Sequence, residues 1–103
     1  MKRLALAAVL AFTATGLCAQ ELTGVLKKIK DSGTITLGIR ETSIPFSYLD
    51  EKQQPIGYSI DLCGHLVEAI KAELKSAALQ VRQIPVVSQT RIPLVANGTV
   101  DLE

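Results

Sequence analysis

Two short runs of strand-forming residues, Thr34 to Ile39 and Gln80 to Val86, are separated by a long stretch with helical periodicity. Parallel strands need a crossover of a dozen or more residues, usually a helix, whereas antiparallel strands can be joined by a tight turn. From Asp61 to Leu74, the residues Cys63, Leu66, Val67, Ile70 and Leu74 fall on one stripe, with Glu68, Lys71, Glu73 and Lys75 outside it. Asp61 stands near the start, where a carboxylate complements the helix dipole. After the second strand, Arg91 to Ala96 reads as a short helix with Pro93 in its first turn and Asn97-Gly98 as its stop, and Thr99 onward begins a third strand. Strand, helix, strand, helix, strand predicts an α/β fold with right-handed crossovers, a parallel sheet flanked by helices.

Ahead of the first strand, Leu22, Val25, Leu26 and Ile29 recur at helical spacing between Glu21 and Lys30, with lysines towards the end and Gly33 just beyond. Lysines favour a helix C-terminus, and glycine suits a left-handed cap. After the first strand, Thr42 to Pro45 is rich in turn formers. Phe46 to Leu49 and Ile56 to Ser59 then flank a polar stretch from Asp50 to Pro55, which predicts a small hairpin.

This topology has a chemical consequence. Ligands of open α/β sheets sit outside the carboxyl ends of the strands. Arg40 directly follows the first strand and Arg91 follows the loop after the second, so parallel strands deliver both arginines to one rim. Two guanidinium groups there suit a small molecule carrying carboxylates.

The N-terminus is a separate matter. Lys2 and Arg3 precede an uncharged apolar run from Leu4 to Leu17, and small residues at Gly16, Cys18 and Ala19 follow. The run is shorter than the roughly 20 residues a membrane span needs, so residues 1–19 are expected to be a cleavable secretory signal peptide. A membrane anchor and a lipid anchor at Cys18 are the competing readings. Without Lys2 and Arg3, nine basic residues face ten acidic ones, a net charge of −1 with His65 neutral. No basic surplus remains for nucleic acid. Cys63 is then the only thiol, which excludes a disulfide-stapled scaffold. The pattern stops in mid-strand at Val100 to Glu103, so residues 20–103 are expected to be a truncated piece of a larger protein, poorly folded when expressed alone.

Gly57-Tyr58-Ser59-Ile60-Asp61-Leu62, with Leu66, Ala69 and Ile70 behind it, resembles the signature of the extracellular solute-binding proteins, family 3, that serve polar amino-acid ABC transporters. Ser59 stands where that pattern prefers an acidic residue. Leu37 to Glu41 and Ile44 to Tyr48 resemble the family's first strand and loop. Ser88 to Leu94, with Asn97-Gly98 and Asp101, resembles its second binding loop. The combination is most similar to the glutamate/aspartate-binding branch. The resemblance implies a type II periplasmic-binding-protein-like fold of which residues 20–103 form the first part of lobe 1. It further implies a periplasmic monomer that closes on an amino acid and presents it to a membrane permease. Ligand contacts would be Arg91 (α-carboxylate), Arg40 (side-chain carboxylate of an acidic amino acid) and Ser88 (a hydroxyl hydrogen bond).

Plainer roles stand beside these. Arg40 as a surface residue, Arg91 paired with Asp101 or capping nearby carbonyls, and Ser88 as a turn residue are the structural alternatives. Phe46 and Tyr48 are read either as packing on the ligand's methylene groups in the cleft or as core or hairpin-face residues. His65 and Cys63 do not form a zinc-ligand pattern, and Cys63 on the apolar stripe is expected to be a buried, inert thiol. Asn97-Gly98-Thr99 matches a glycosylation acceptor and equally a helix stop. No paired carboxylates and no nucleophile elbow are present, so no catalytic residue, metal or cofactor is assigned. The runner-up function is an exported dehydratase on the same scaffold acting on a prephenate-like dicarboxylate; a third is a receptor's sensor domain.

Overall fold

A computed structural model describes residues 22–103. The expected signal peptide, and Cys18 with it, lies outside the described residues. Eight elements follow in order: α1 (Gly24–Ser32), β1 (Thr34–Ile39), β2 (Thr42–Ser43), β3 (Ser47–Leu49), β4 (Pro55–Ile56), α2 (Tyr58–Leu74), β5 (Gln80–Pro85) and α3 (Arg91–Ala96).

β1 is the axis of the molecule. β5 runs parallel to it, in register from Thr34 against Gln80 to Ile39 against Pro85. Its other edge receives the chain after α3: Leu102 bridges Leu37 in parallel, and the Gly38 N–H donates to Leu102 O at 2.7 Å. The expected third strand is thus represented by a single bridge, in the expected direction. Alternation along β1 sends Ile35, Leu37 and Ile39 to one face. There they join Ile29 of α1, Val67 and Leu74 of α2, and Leu79 in the buried core. Gly38 looks the other way, where the side chains of Val86 and Val100 close in on it.

α1 starts at Gly24, three residues later than its apolar spacing predicts, and ends at Gly33 in the left-handed conformation (φ 69°). Only Ile29 of this helix is buried, with Leu22 packed against the core from the preceding segment; Val25 and Leu26 are exposed. Lys28 leaves the helix surface to reach Asp101 and Gly98 O.

α2 begins at Tyr58 rather than Asp61. The cause lies outside the helix: the Tyr58 N–H donates to Pro45 O (3.0 Å) and the Ser59 N–H to Phe46 O (2.8 Å). The loop therefore satisfies first-turn donors that a capping side chain would otherwise serve, and N-cap Gly57 makes no side-chain cap. This also shortens the predicted strand Ile56–Ser59 to Pro55–Ile56. The buried stripe of α2 is Val67 and Leu74 flanked by Ile60, Cys63 and Ile70. Leu66, expected in the core, is 48% exposed, because a one-residue step of about 100° turns it away from Val67.

The hairpin is a three-stranded antiparallel sheet, with β3 between β2 and β4. Thr42–Ser43, which reads as a turn in the sequence, pairs with Ser47 and Tyr48. Asp50 organises the far turn by accepting the N–H groups of Lys52 and Gln54. The Ile44–Pro45 peptide is cis, and the Phe46 N–H closes the near turn onto Ser43 O. Among the described residues no helix is long and apolar enough to cross a membrane.

Candidate functional site

A cleft of about 310 Å³ opens where β1 ends, within the size range of small-molecule sites. Its walls hold Arg40 and Arg91 together. Gly38 and Arg40 come from β1 and its exit, Ser43, Phe46 and Ser47 from the hairpin, Ser59, Ile60 and Cys63 from the first turns of α2, and Arg91 and Glu103 from α3 and the segment beyond it. The parallel register brings this about: β1 and β5 end side by side at Ile39 and Pro85, so the chain leaves both strands at one rim.

Each arginine is held by its backbone. The Arg40 N–H donates to Ser47 Oγ at 3.0 Å, and the Ser47 hydroxyl donates to Arg40 O at 2.7 Å. Ser47 is only 5% exposed. At the other position the Thr90 hydroxyl accepts the Val87 N–H (3.0 Å) and donates to Val87 O, while the N–H groups of Thr90 and Arg91 also converge on Val87 O. That closed turn sets Arg91 as the first residue of α3, and Pro93 occupies the first helical turn, where its missing donor costs nothing.

Ser88 is placed differently. It lies exposed in the Val87–Thr90 turn and outside the wall of this cleft. Its neighbours Val87 and Thr90 line a second recess, about 430 Å³, that also includes Arg40.

Charge in the cleft is unequal. Arg91 Nη1 stands 3.6 Å from Glu103 Oε1, and the cleft lining carries two arginines against this one carboxylate. The alternative pairing of Arg91 with Asp101 is replaced by this one, since Asp101 is bound to Lys28 at 2.9 Å and accepts the Thr36 N–H at 2.8 Å. Cys63 is half-buried rather than sequestered, and it lines the cleft. Burial pushes its thiol pKa above the ordinary range, and the Glu103 carboxylate pushes it further. The surplus positive charge, the hydroxyls of Ser43 and Ser59 and the apolar surfaces of Phe46 and Ile60 suit a small anion with a short hydrocarbon body. No cluster of three metal-ligating side chains occurs among the described residues.

Sequence reasoning picks out both arginines but not Ser43, Ser47, Ser59 or Glu103. Nothing distinguishes these serines from ordinary turn or helix-start residues until the hairpin is folded back on β1. Glu103 reaches the cleft only through the crossing at Gly38.

The model of bacterial extracellular solute-binding proteins, family 3, matches residues 35–103. The chain is 59% identical over 101 residues to the L-glutamate/L-aspartate-binding protein of Pseudomonas aeruginosa, covering 97% of this chain and 33% of that protein. It is 51% identical over 78 residues to the glutamate/aspartate import solute-binding protein of Escherichia coli, covering 76% and 26%. Among solved structures it is similar to an ancestral cationic amino acid solute-binding protein, with a TM-score of 0.63 and 26% identity over 75% of this chain and 31% of that one. An ancestral cyclohexadienyl dehydratase superposes with a TM-score of 0.63 at 22% identity, over 78% and 30%, and shows the shared fold. The chain spans about a quarter to a third of the length of the curated relatives it matches.

Proposed function

The chain belongs to the bacterial extracellular solute-binding proteins, family 3, with the type II periplasmic-binding-protein fold, and on that premise we propose that the complete protein captures glutamate or aspartate in the periplasm. Residues 1–19 direct its export, residues 20–103 form the first part of lobe 1, and the loaded monomer delivers its cargo to an ABC transporter permease. The observation that carries the reading is the meeting of Arg40 and Arg91 in the walls of one cleft. Arg91 takes the α-carboxylate with a bidentate fork and Arg40 the side-chain carboxylate. Ser88, exposed outside the cleft wall in the turn ahead of Arg91, adds its hydroxyl when the lobes close. Binding involves no chemical change of the ligand. Closure of a second lobe excludes water and strengthens these charged contacts.

The names of the curated relatives favour this ligand class. Calorimetry on the complete gene product tests it, with glutamate, aspartate, glutamine and prephenate as ligands. Tight binding of the two acidic amino acids over glutamine is expected. Preference for prephenate, with its turnover, would establish the dehydratase function instead.

A further inference from the structure

We propose that Ser47 is a positioning residue for ligand recognition, holding the Arg40 main chain so that its guanidinium is presented to the cleft before any ligand arrives. The inference rests on the acidic-ligand reading above. Arg40 lies just past the last residue of β1, where the ladder to β5 ends with the Val86 N–H donating to Ile39 O. A residue there would ordinarily be free to turn, and each such freedom lost on binding weakens affinity. Ser47 removes that freedom from both sides, accepting the Arg40 N–H and donating to the Arg40 carbonyl.

The clamp is itself anchored. Ser47 opens β3 and pairs with Ser43 across the hairpin. The two residues before it, Pro45 and Phe46, give their carbonyl oxygens to the first N–H groups of α2. Gly57 makes that approach feasible: it has φ 132°, and a Cβ there would drive into the Phe46 carbonyl and come within 2.9 Å of Pro45 O. A rigid path thus runs from the start of α2 through the hairpin turn to the backbone of Arg40. Ser47 is the one polar residue among those described that is buried as a whole, and its only hydroxyl proton is committed to the Arg40 carbonyl, leaving no donor for an anionic ligand. Its position in the cleft wall is therefore that of a support rather than a ligand contact.

The test is calorimetry on the complete gene product with L-glutamate and L-glutamine, comparing wild type, Ser47→Ala, Ser47→Thr and Arg40→Ala. Ser47→Ala is expected to weaken glutamate binding roughly five- to tenfold, about what one or two hydrogen bonds contribute. Glutamine binding changes less, because it does not call on the Arg40 charge, and Ser47→Thr, which keeps the hydroxyl, restores most of the loss. An equal loss for both ligands would mark general damage to the lobe and overturn the proposal. Wild-type glutamate affinity in Ser47→Ala, with affinity lost in Arg40→Ala, would overturn the clamp while leaving the ligand reading intact. Unchanged affinity in Arg40→Ala would overturn both. Should Ser47→Ala not fold, Ser47→Cys, which keeps the volume and weakens both bonds, is read by the same criteria.

Discussion

Lys28 of α1 holds the buried carboxylate of Asp101 across 73 residues of sequence, Nζ to Oδ1 at 2.9 Å. The other carboxylate oxygen accepts the Thr36 N–H from β1. One side chain therefore ties the first helix, the central strand and the segment after α3 together. Its side chain is 3% exposed against 49% for Lys28.

Asp101→Ala strands a β1 donor and frees the lysine, and is expected to cost roughly 2–4 kcal/mol. Lys28→Met leaves a carboxylate that is 3% exposed without its cation and is expected to cost at least as much. Urea unfolding midpoints of the complete gene product measure both. A clearly smaller loss for Lys28→Met would show the Asp101 carboxylate to be solvated.

Arg91→Ala removes the fork assigned to the α-carboxylate and is expected to weaken glutamate binding by about 2–5 kcal/mol. Arg91→Lys should recover little, since an ammonium cannot offer two parallel donors. Normal calorimetric affinity in Arg91→Ala would remove this residue from the site.

Gly57→Ala places a side chain where the Phe46 carbonyl already lies, at a backbone angle L-residues rarely adopt. A destabilisation of roughly 2–4 kcal/mol is expected. Gly64→Ala is the control, because its Cβ would meet nothing within 4 Å and alanine is the better helix former. Thermal melts that rank these two variants the other way would show the hairpin approach to be loose.

Cys63 should resist alkylation at neutral pH, since burial and Glu103 both favour its protonated form. In the reduced protein, the iodoacetamide rate is expected to rise only above the pH at which a free thiol reacts, and saturating glutamate should slow it. Because the folded chain holds this proton more tightly, the stabilisation is complete below the ordinary thiol pKa and fades as pH climbs through the raised one. An inflection at or below the free-thiol value would show the thiol to be exposed.

Much of this was legible in the sequence for identifiable reasons. Thr34–Ile39 is a β-branched run ending where Arg40 begins, and Gly33 marks the preceding helix end, so these boundaries are local signals. Parallel pairing then placed Arg40 and Arg91 at one rim by topology alone. The misreadings have non-local causes. The start of α2 is set by carbonyls a dozen residues upstream, so no capping side chain announces it. Leu66 belongs to the apolar spacing yet faces away from β1. Ser47 looks like any hairpin serine, and Asp101 gives no hint that its partner is Lys28 rather than Arg91.

Ser47 grips the peptide groups of residue 40, and those groups are the same in every amino acid but proline. The grip is blind to the side chain it presents. A new residue at that position would keep the same main-chain hold, so exchanging Arg40 changes what the cleft wall carries and leaves the framework around it as it stands.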